Sequence, residues 1–443
     1  MQVSNPFEFT NSLPARHTLV TIGRQSPAAR ENQGKPPMQC AGKFASKCRQ
    51  VCLDRPSRRW PERLTNMSVK TNSGWVLLFC LLTANQVAAE EAEKDVGAAL
   101  EAPKKESLWD KVSLGVVWYL HAGGGEEGGE TFNRAHISRG YVTLKLKPTR
   151  WLQPRVTFDT HQDESGDWKV RLKYMYAGFV LPVDTAFISD TQLEAGIVHT
   201  PWFELEEHLN YNRMQGMMFI ERNGLLNSAD LGVTVSGLLG RELPQEYQDQ
   251  VNRANPGTWG SFALGVYNGG GYHAVEANAN KVFMSRLAVR PLGPWLANLQ
   301  LAHFFVYGAG NSQAEPQWQL HDIFASFEHE YFVITGQYVL GRGNQSGSRV
   351  DSSGNALGYE GWSGFGEMRL PWIDSKIIGR YDYFDSDGDG SSGVGIPRSR
   401  VIAGVAYTLV GHNILMLDYD RSWQHRSDTP VDWHVKLTLQ IYI

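Results

Sequence analysis

The sequence predicts an all-β protein, a transmembrane antiparallel β-barrel of about sixteen strands with one long connection folded into it. Three observations predict this. From residue 112 onward, apolar and polar residues alternate with period two in run after run. The connections between runs switch between tight turns and longer, polar, Gly-rich loops. After residue 89 no apolar run approaches the ~20 residues that a spanning helix needs, so a membrane is crossed by strands or not at all.

The first elements are read as processing segments. "SGWVLLFCLLTANQVAAEE" (73–91) has an apolar run from Trp75 to Leu82 behind Lys70, and small residues Val87 and Ala89 where a signal peptidase reads. A secretion signal at 67–89, cut after Ala89, is therefore expected, with the chain proper starting at Met67. Residues 1–66, with 11 Lys/Arg against 4 Asp/Glu and no sustained periodicity, read as an upstream extension. The mature chain from Glu90 then holds 30 Lys+Arg and 42 Asp+Glu, a net charge near −12. That excess argues against nucleic acid as a partner. Cys40, Cys48, Cys52 and Cys80 all precede the cut, as suits an exported chain in an oxidising compartment. The Cys48/Cys52 spacing has no His pair nearby and Cys80 lacks the small residues before a lipidated cysteine, so neither a metal site nor a lipoprotein is expected. Residues 90–111 read as a short, charged, Ala-rich periplasmic segment, and the barrel as 112–443.

Strands follow near 112–120, 135–147, 153–161, 168–180, 191–199, 228–239, 259–268, 281–290, 297–308, 318–328, 330–340, 359–370, 376–385, 399–410, 413–423 and 432–443. "YVTLKLK" sets Val142, Leu144 and Leu146 against Thr143, Lys145 and Lys147. "WKVRLKYMY" sets Val170, Leu172, Tyr174 and Tyr176 against Lys169, Arg171 and Lys173. "HVKLTLQIYI" ends the chain in the same way. Tight connections follow residues 147, 290, 370 and 410, whereas 123–131, 341–358 and 385–395 read as long loops. The connection 241–257 is too long for its place, which implies a small helix or a miscounted strand. Trp118, Trp151, Trp168, Trp259, Trp318, Trp362, Trp372, Trp423 and Trp433 fall near strand ends, where aromatic girdles meet lipid headgroups. A soluble β-sandwich also alternates, but it seldom needs so many successive hairpins. Unpaired backbone groups cost several kcal/mol each in hydrocarbon, so the strands must close, and about sixteen of them enclose a water-filled bore.

The stretch expected to narrow that bore is "TPWFELEEHLNYNRMQGMMFIERNGLLN" (200–227). Its apolar residues Trp202, Phe203, Met217, Met218 and Phe219 suit packing on the barrel wall. Glu204, Glu206, Glu207, Arg213, Glu221 and Arg222 are then set into the lumen as a channel constriction. Lys145, Lys147, Arg155, Arg171, Lys173 and Arg286 are read as a basic wall facing it. Acids on one side and bases on the other give a transverse field that sorts solutes by charge.

The stretch "LEAGIVHTPWFELEEHLNYNRMQGMMFIERN…SADLGVTVSG" (193–237) resembles the phosphate-selective porin O/P family. Gly196, Pro201, Phe203, Phe219–Arg222 and Asp230–Gly232 stand in matching places, and 259–271 and 379–389 resemble later strands. The resemblance implies a sixteen-stranded porin of the Gram-negative outer membrane, commonly trimeric, with that loop inside the channel. The family's phosphate specificity rests on an arginine-rich eyelet and a lysine ladder. The acidic loop departs from these, so specificity for phosphate is not carried over.

Other motifs carry less. "DSDGDG" begins like a calcium loop with Asp385, Asp387, Asp389 and Gly390, but Ile396 stands where the bidentate Glu belongs. "GRGNQSG" lacks the strand-to-helix setting and the Lys of a phosphate loop. Asp159 with His161, His321 with Asp322, and His425 with Asp428 are the pairs an outer-membrane enzyme would offer, and none is expected to be catalytic. The expectation is a passive porin, without cofactor or bound metal, that passes ions (phosphate and other anions among them) and small hydrophilic solutes. Its partners would be outer-membrane lipid, lipopolysaccharide and two further copies of itself. The alternative is a barrel enzyme or receptor acting through long outer loops.

Overall fold

The computed structural model describes residues 107–163, 165–387, 395–425 and 429–443. The proposed upstream extension, the signal and the cysteines lie outside these residues. A 3₁₀ turn (Leu108–Lys111) leads into sixteen strands: β1 (Val112–Glu127), β2 (Glu130–Leu146), β3 (Arg155–Gln162), β4 (Trp168–Val180), β5 (Ile188–His199), β6 (Ala229–Leu239), β7 (Gly260–Tyr267), β8 (Val282–Val289), β9 (Leu299–Ala309), β10 (Gln317–His329), β11 (Phe332–Arg342), β12 (Gly358–Leu370), β13 (Ser375–Asp385), β14 (Arg398–Val410), β15 (Asn413–Gln424) and β16 (Asp432–Tyr442). Each strand pairs antiparallel with its sequence neighbours, and β1 closes on β16 from Val117↔Tyr442 to Glu126↔Trp433. Val116 and Ile443 exchange both backbone hydrogen bonds at 2.9 Å, so the closure runs to the last residue. Among the described residues no helix is long and apolar enough to cross a membrane.

Alternation sets the two faces of the wall. Leu231, Val233, Leu264, Val266, Leu287, Ile334, Leu417 and Leu437 are exposed on the outside. Their same-strand neighbours Asp230, Thr234, Ser261, Arg286, Thr335, Asp418 and Thr438 point in and are buried. An apolar exterior around a closed ladder is the arrangement that hydrocarbon tolerates, because no backbone edge is left unpaired.

Three sequence expectations need correction, and one open alternative is decided. Residues 123–131 are not a long loop: β1 and β2 run on to a two-residue turn, Gly128–Gly129, whose positive φ values (61° and 84°) suit glycine. The long connection 241–257 holds a helix, Gln245–Gln250, and the strand count stays at sixteen. Trp318 belongs to no girdle, since it points inward and is fully buried. Tyr174 and Tyr176 do not share a face with Leu172. Between Phe158↔Leu172 and Thr157↔Tyr174 the register slips at Lys173, and this bulge turns both tyrosines inward beside Arg171 and Lys173.

Candidate functional site

The connection between β5 and β6 folds into the barrel as a strap, and its sequence dictates where it is fixed. Pro201 opens helix α1 (Pro201–Leu209), a place where its missing N–H costs nothing. Trp202, Phe203, Leu205, Glu206 and Leu209 recur on one helical face and are buried against the wall. The Trp202 ring lies between Phe304 of β9 and Phe324 of β10, with centroids 5.6 and 5.2 Å away. Arg286 of β8 donates to the Pro201 carbonyl at 2.9 Å and to Ser261 Oγ at 2.7 Å. Glu206 accepts from Trp202 Nε1 and Gln337 Nε2, both at 2.7 Å.

The strap then crosses to the far wall. Asn212 donates to Glu367 of β12 at 2.6 Å, and Lys436 of β16 donates to the Gln215 carbonyl at 3.0 Å. Met214 packs in an apolar cluster with Tyr119, Phe365, Ile378 and Met416. A short helix, α2 (Phe219–Arg222), returns along β13, with Arg222 paired to Asp382 at 2.7 Å and Phe219 against Phe384. At the exit, Gln345 of the 343–357 loop receives both the backbone and side-chain N–H groups of Asn227 at 2.7 Å. A strap held at both ends and in the middle has one position.

Its remaining face is charged. Arg213 stands between Glu221 (2.9 Å) and Glu207 (3.5 Å). These groups are coupled electrostatically to Arg139, Tyr141 and Lys173 on β2 and β4. Burial alone would raise the Glu221 carboxyl, but Arg213, then Arg139 and Lys173, overcome it and hold it at about 2. Burial pushes the Glu206 carboxyl above its usual range, and Arg380 and its two hydrogen-bond donors offset this only in part. Beyond this face, Arg171 pairs with Asp159 at 2.8 Å, Arg400 with Asp420 at 2.5 Å and Lys436 with Asp418 at 3.2 Å. The arrangement sets the acids and bases of the strap opposite those of the wall.

The expected residues fall in three groups. Glu207, Arg213 and Glu221 lie on the open face of the strap, and Arg155, Arg171 and Lys173 face the lumen from β3 and β4. Glu204 stays half-buried. Glu206, Arg222 and Arg286 are placed otherwise than expected: all three are used up in fastening the strap, because their partners Gln337, Asp382 and the Pro201 carbonyl belong to the contact between strap and wall. Lys147 is not on the wall, since β2 ends at Leu146 and leaves it exposed in the following turn; Lys145 is exposed at the last inward position of β2. Sequence reading missed Arg139, Arg380 and Asp382. Parity would have found them: counting back by twos from Lys145 reaches Arg139, and counting on from Lys376 reaches both others.

Of the enzyme alternative's pairs, the structure separates His321 and Asp322. His321 points outward beside His303, while Asp322 points inward and is buried. Asp159 is held by Arg171. His425 meets Ser399 Oγ at 2.8 Å, and Asp428 lies outside the described residues, as do Asp389 and Gly390 of the calcium-like run. Among the described residues no group of three His, Cys, Asp or Glu side chains is arranged to hold a metal ion.

No family model and no curated protein matches the chain. Solved structures do. OmpF of Salmonella typhi, in complex with daunomycin, aligns with a TM-score of 0.51 at 9% identity, over 75% of this chain and 97% of its own. The anion-selective porin from Comamonas acidovorans gives 0.49 at 9% identity, over 75% and 99%. The outer-membrane channel DcaP of Acinetobacter baumannii gives 0.48 at 11% identity, over 75% and 97%. The likeness to OmpF is one of fold: a closed, sixteen-stranded antiparallel barrel.

Proposed function

We propose that this chain is a passive porin of a Gram-negative outer membrane, related to the phosphate-selective O/P family. It admits ions and small hydrophilic solutes down their gradients and forms no covalent bond with them. In this reading the exterior meets lipid and lipopolysaccharide, and three copies assemble. The observation that carries the proposal is the strap. A loop anchored to opposite walls of a closed barrel, with Glu207, Arg213 and Glu221 turned toward Arg139 and Lys173, supports a narrow, charged aqueous passage. The fold shared with outer-membrane porins supports it.

The test is electrical. Purified protein in a planar bilayer is expected to give steady, ohmic openings in potassium chloride. Neutralising both strap acids (Glu207→Gln with Glu221→Gln) removes negative charge from the narrowest part and moves the zero-current potential across a salt gradient toward anions. A bilayer that stays silent with folded, inserted protein ends the channel reading. An unmoved potential removes the strap from the constriction.

A further inference from the structure

Resting on the porin reading, we infer that the wall opposite the strap holds a binding subsite for small organic monocarboxylates, built by Lys173 and Arg139 around the ring of Tyr141.

The argument begins with an unpartnered cation. Lys173 is only 5% exposed, yet among the described residues it makes neither an ion pair nor a hydrogen bond to another side chain. Its ammonium rests on two aromatic faces, 4.7 Å from the Tyr141 centroid and 5.5 Å from that of Tyr174. Cation–π contact holds a charge in place and leaves its N–H groups free to donate. The bulge in β4 makes this possible, since it brings Tyr174 to the same face as Lys173. A second cation meets the same residue: Arg139 Nη1 donates to the Tyr141 hydroxyl at 3.1 Å, and among the described residues no carboxylate pairs with it. Nearby Arg171 and Arg213 are already matched with Asp159 and with Glu207 and Glu221. Two cations with no carboxylate partner among the described residues, converging on one tyrosine, form a candidate oxyanion site.

The surroundings select the anion. Glu207 and Glu221 act on the pair from across the gap. They weaken the positive potential at the pair, and this trims the pull on a multiply charged ion more than that on a single carboxylate, because the Coulomb term scales with the product of charges. The half-buried Tyr141 ring offers apolar surface to the body of an organic acid, which an inorganic ion does not have.

The experiment titrates benzoate, gluconate and inorganic phosphate against the potassium chloride current of single wild-type channels in planar bilayers. Both carboxylates are expected to reduce the current saturably, and at lower concentration than phosphate. Lys173→Gln and Arg139→Gln each remove one charge-assisted hydrogen bond and should raise the half-blocking concentration about tenfold or more. Arg253→Gln, in the connection between β6 and β7, leaves it unchanged. Heat-modified migration on gels confirms that each variant is folded. Current that falls only in proportion to carboxylate added overturns the subsite, as does saturable block indifferent to Lys173 and Arg139. Tighter block by phosphate overturns the class of ligand. Failure of the channel reading itself looks different, because wild-type protein would then carry no current to block.

Discussion

The two flanks of the barrel interior differ as a protein core differs from a protein surface. Along β7–β11 the strap lies on the wall, and Trp202, Phe203, Met218, Phe219, Phe304, Phe324 and Trp318 are sealed from water. Along β1–β4 the inward residues include Arg139, Tyr141, Arg155, Arg171 and Lys173, and the strap meets this flank through Met214, which packs with Tyr119 and Tyr141. A sixteen-stranded bore is too wide for wall side chains to fill. This chain fills one half of it with a loop built like a small hydrophobic core and lines the other, the wet half of the porin reading, with charged and aromatic side chains. The dry half gives the strap a fixed position, and the wet half uses that position to set charges opposite one another. On the porin reading, stability rests on one set of strands and charge sorting on another, and substitutions should separate them.

The largest effect is expected in the dry half. Trp202→Ala empties the space between Phe304 and Phe324 and takes the indole donor from Glu206. By analogy with other buried aromatic truncations the cost is about 3–5 kcal/mol. Thermal unfolding in detergent measures it, and bilayer recordings should show noisier, larger openings as the strap loosens. If stability is unchanged, α1 is not the core of this half.

A middle-sized effect is expected where the halves meet. Arg222 and Asp382 form an ion pair at 2.7 Å with both side chains about nine-tenths buried. Removing either partner alone leaves a buried charge uncompensated, and removing both should cost less than the sum. A double-mutant cycle with Arg222→Met and Asp382→Leu is expected to give a coupling of about 1–3 kcal/mol. The network also contains Arg380, which donates to Asp382 at 2.8 Å, so the single Asp382→Leu substitution should be the worst of the three variants. A coupling near zero would mean that the strap returns along β13 without this pair.

The contrast also explains what could be read from sequence. Period-two runs placed all sixteen strands, because a wall that is greasy outside and wet within repeats its pattern at every strand. The strap was legible for the same reason: an apolar, acidic stretch such as 200–227 has no place among Gly-rich loops. Which of its charges reach water was not legible. Glu206 and Glu207 are adjacent in sequence, yet a helix separates neighbours by about 100°, so one faces Gln337 and the other Arg213. The bulge at Lys173 was equally hidden. One extra residue reverses the faces of everything after it, and "RLKYMY" reads as an unbroken alternation with or without it. Arg286 misled in the opposite direction, since its inward position was readable but the strap covering it was not.

The smallest effect on stability should belong to the wet half, and it is the one that tests the division of labour. Lys145 sits exposed at the end of β2, one inward position from Thr143 and facing Arg155 across the β2–β3 pair. Among the described residues it makes no ion pair, so Lys145→Gln is expected to change unfolding free energy by no more than about 0.5 kcal/mol. Removing its charge still weakens the positive potential at that mouth, and the zero-current potential should move slightly toward cations. The shift should shrink as salt rises, because an exposed charge is screened over a Debye length of about 10 Å at 0.1 M. The effect of Lys173→Gln, made at a site that water barely reaches, should persist at the same salt. Equal salt sensitivity of the two variants would place both charges in open solution and remove the reason for treating Lys173 as part of the constriction.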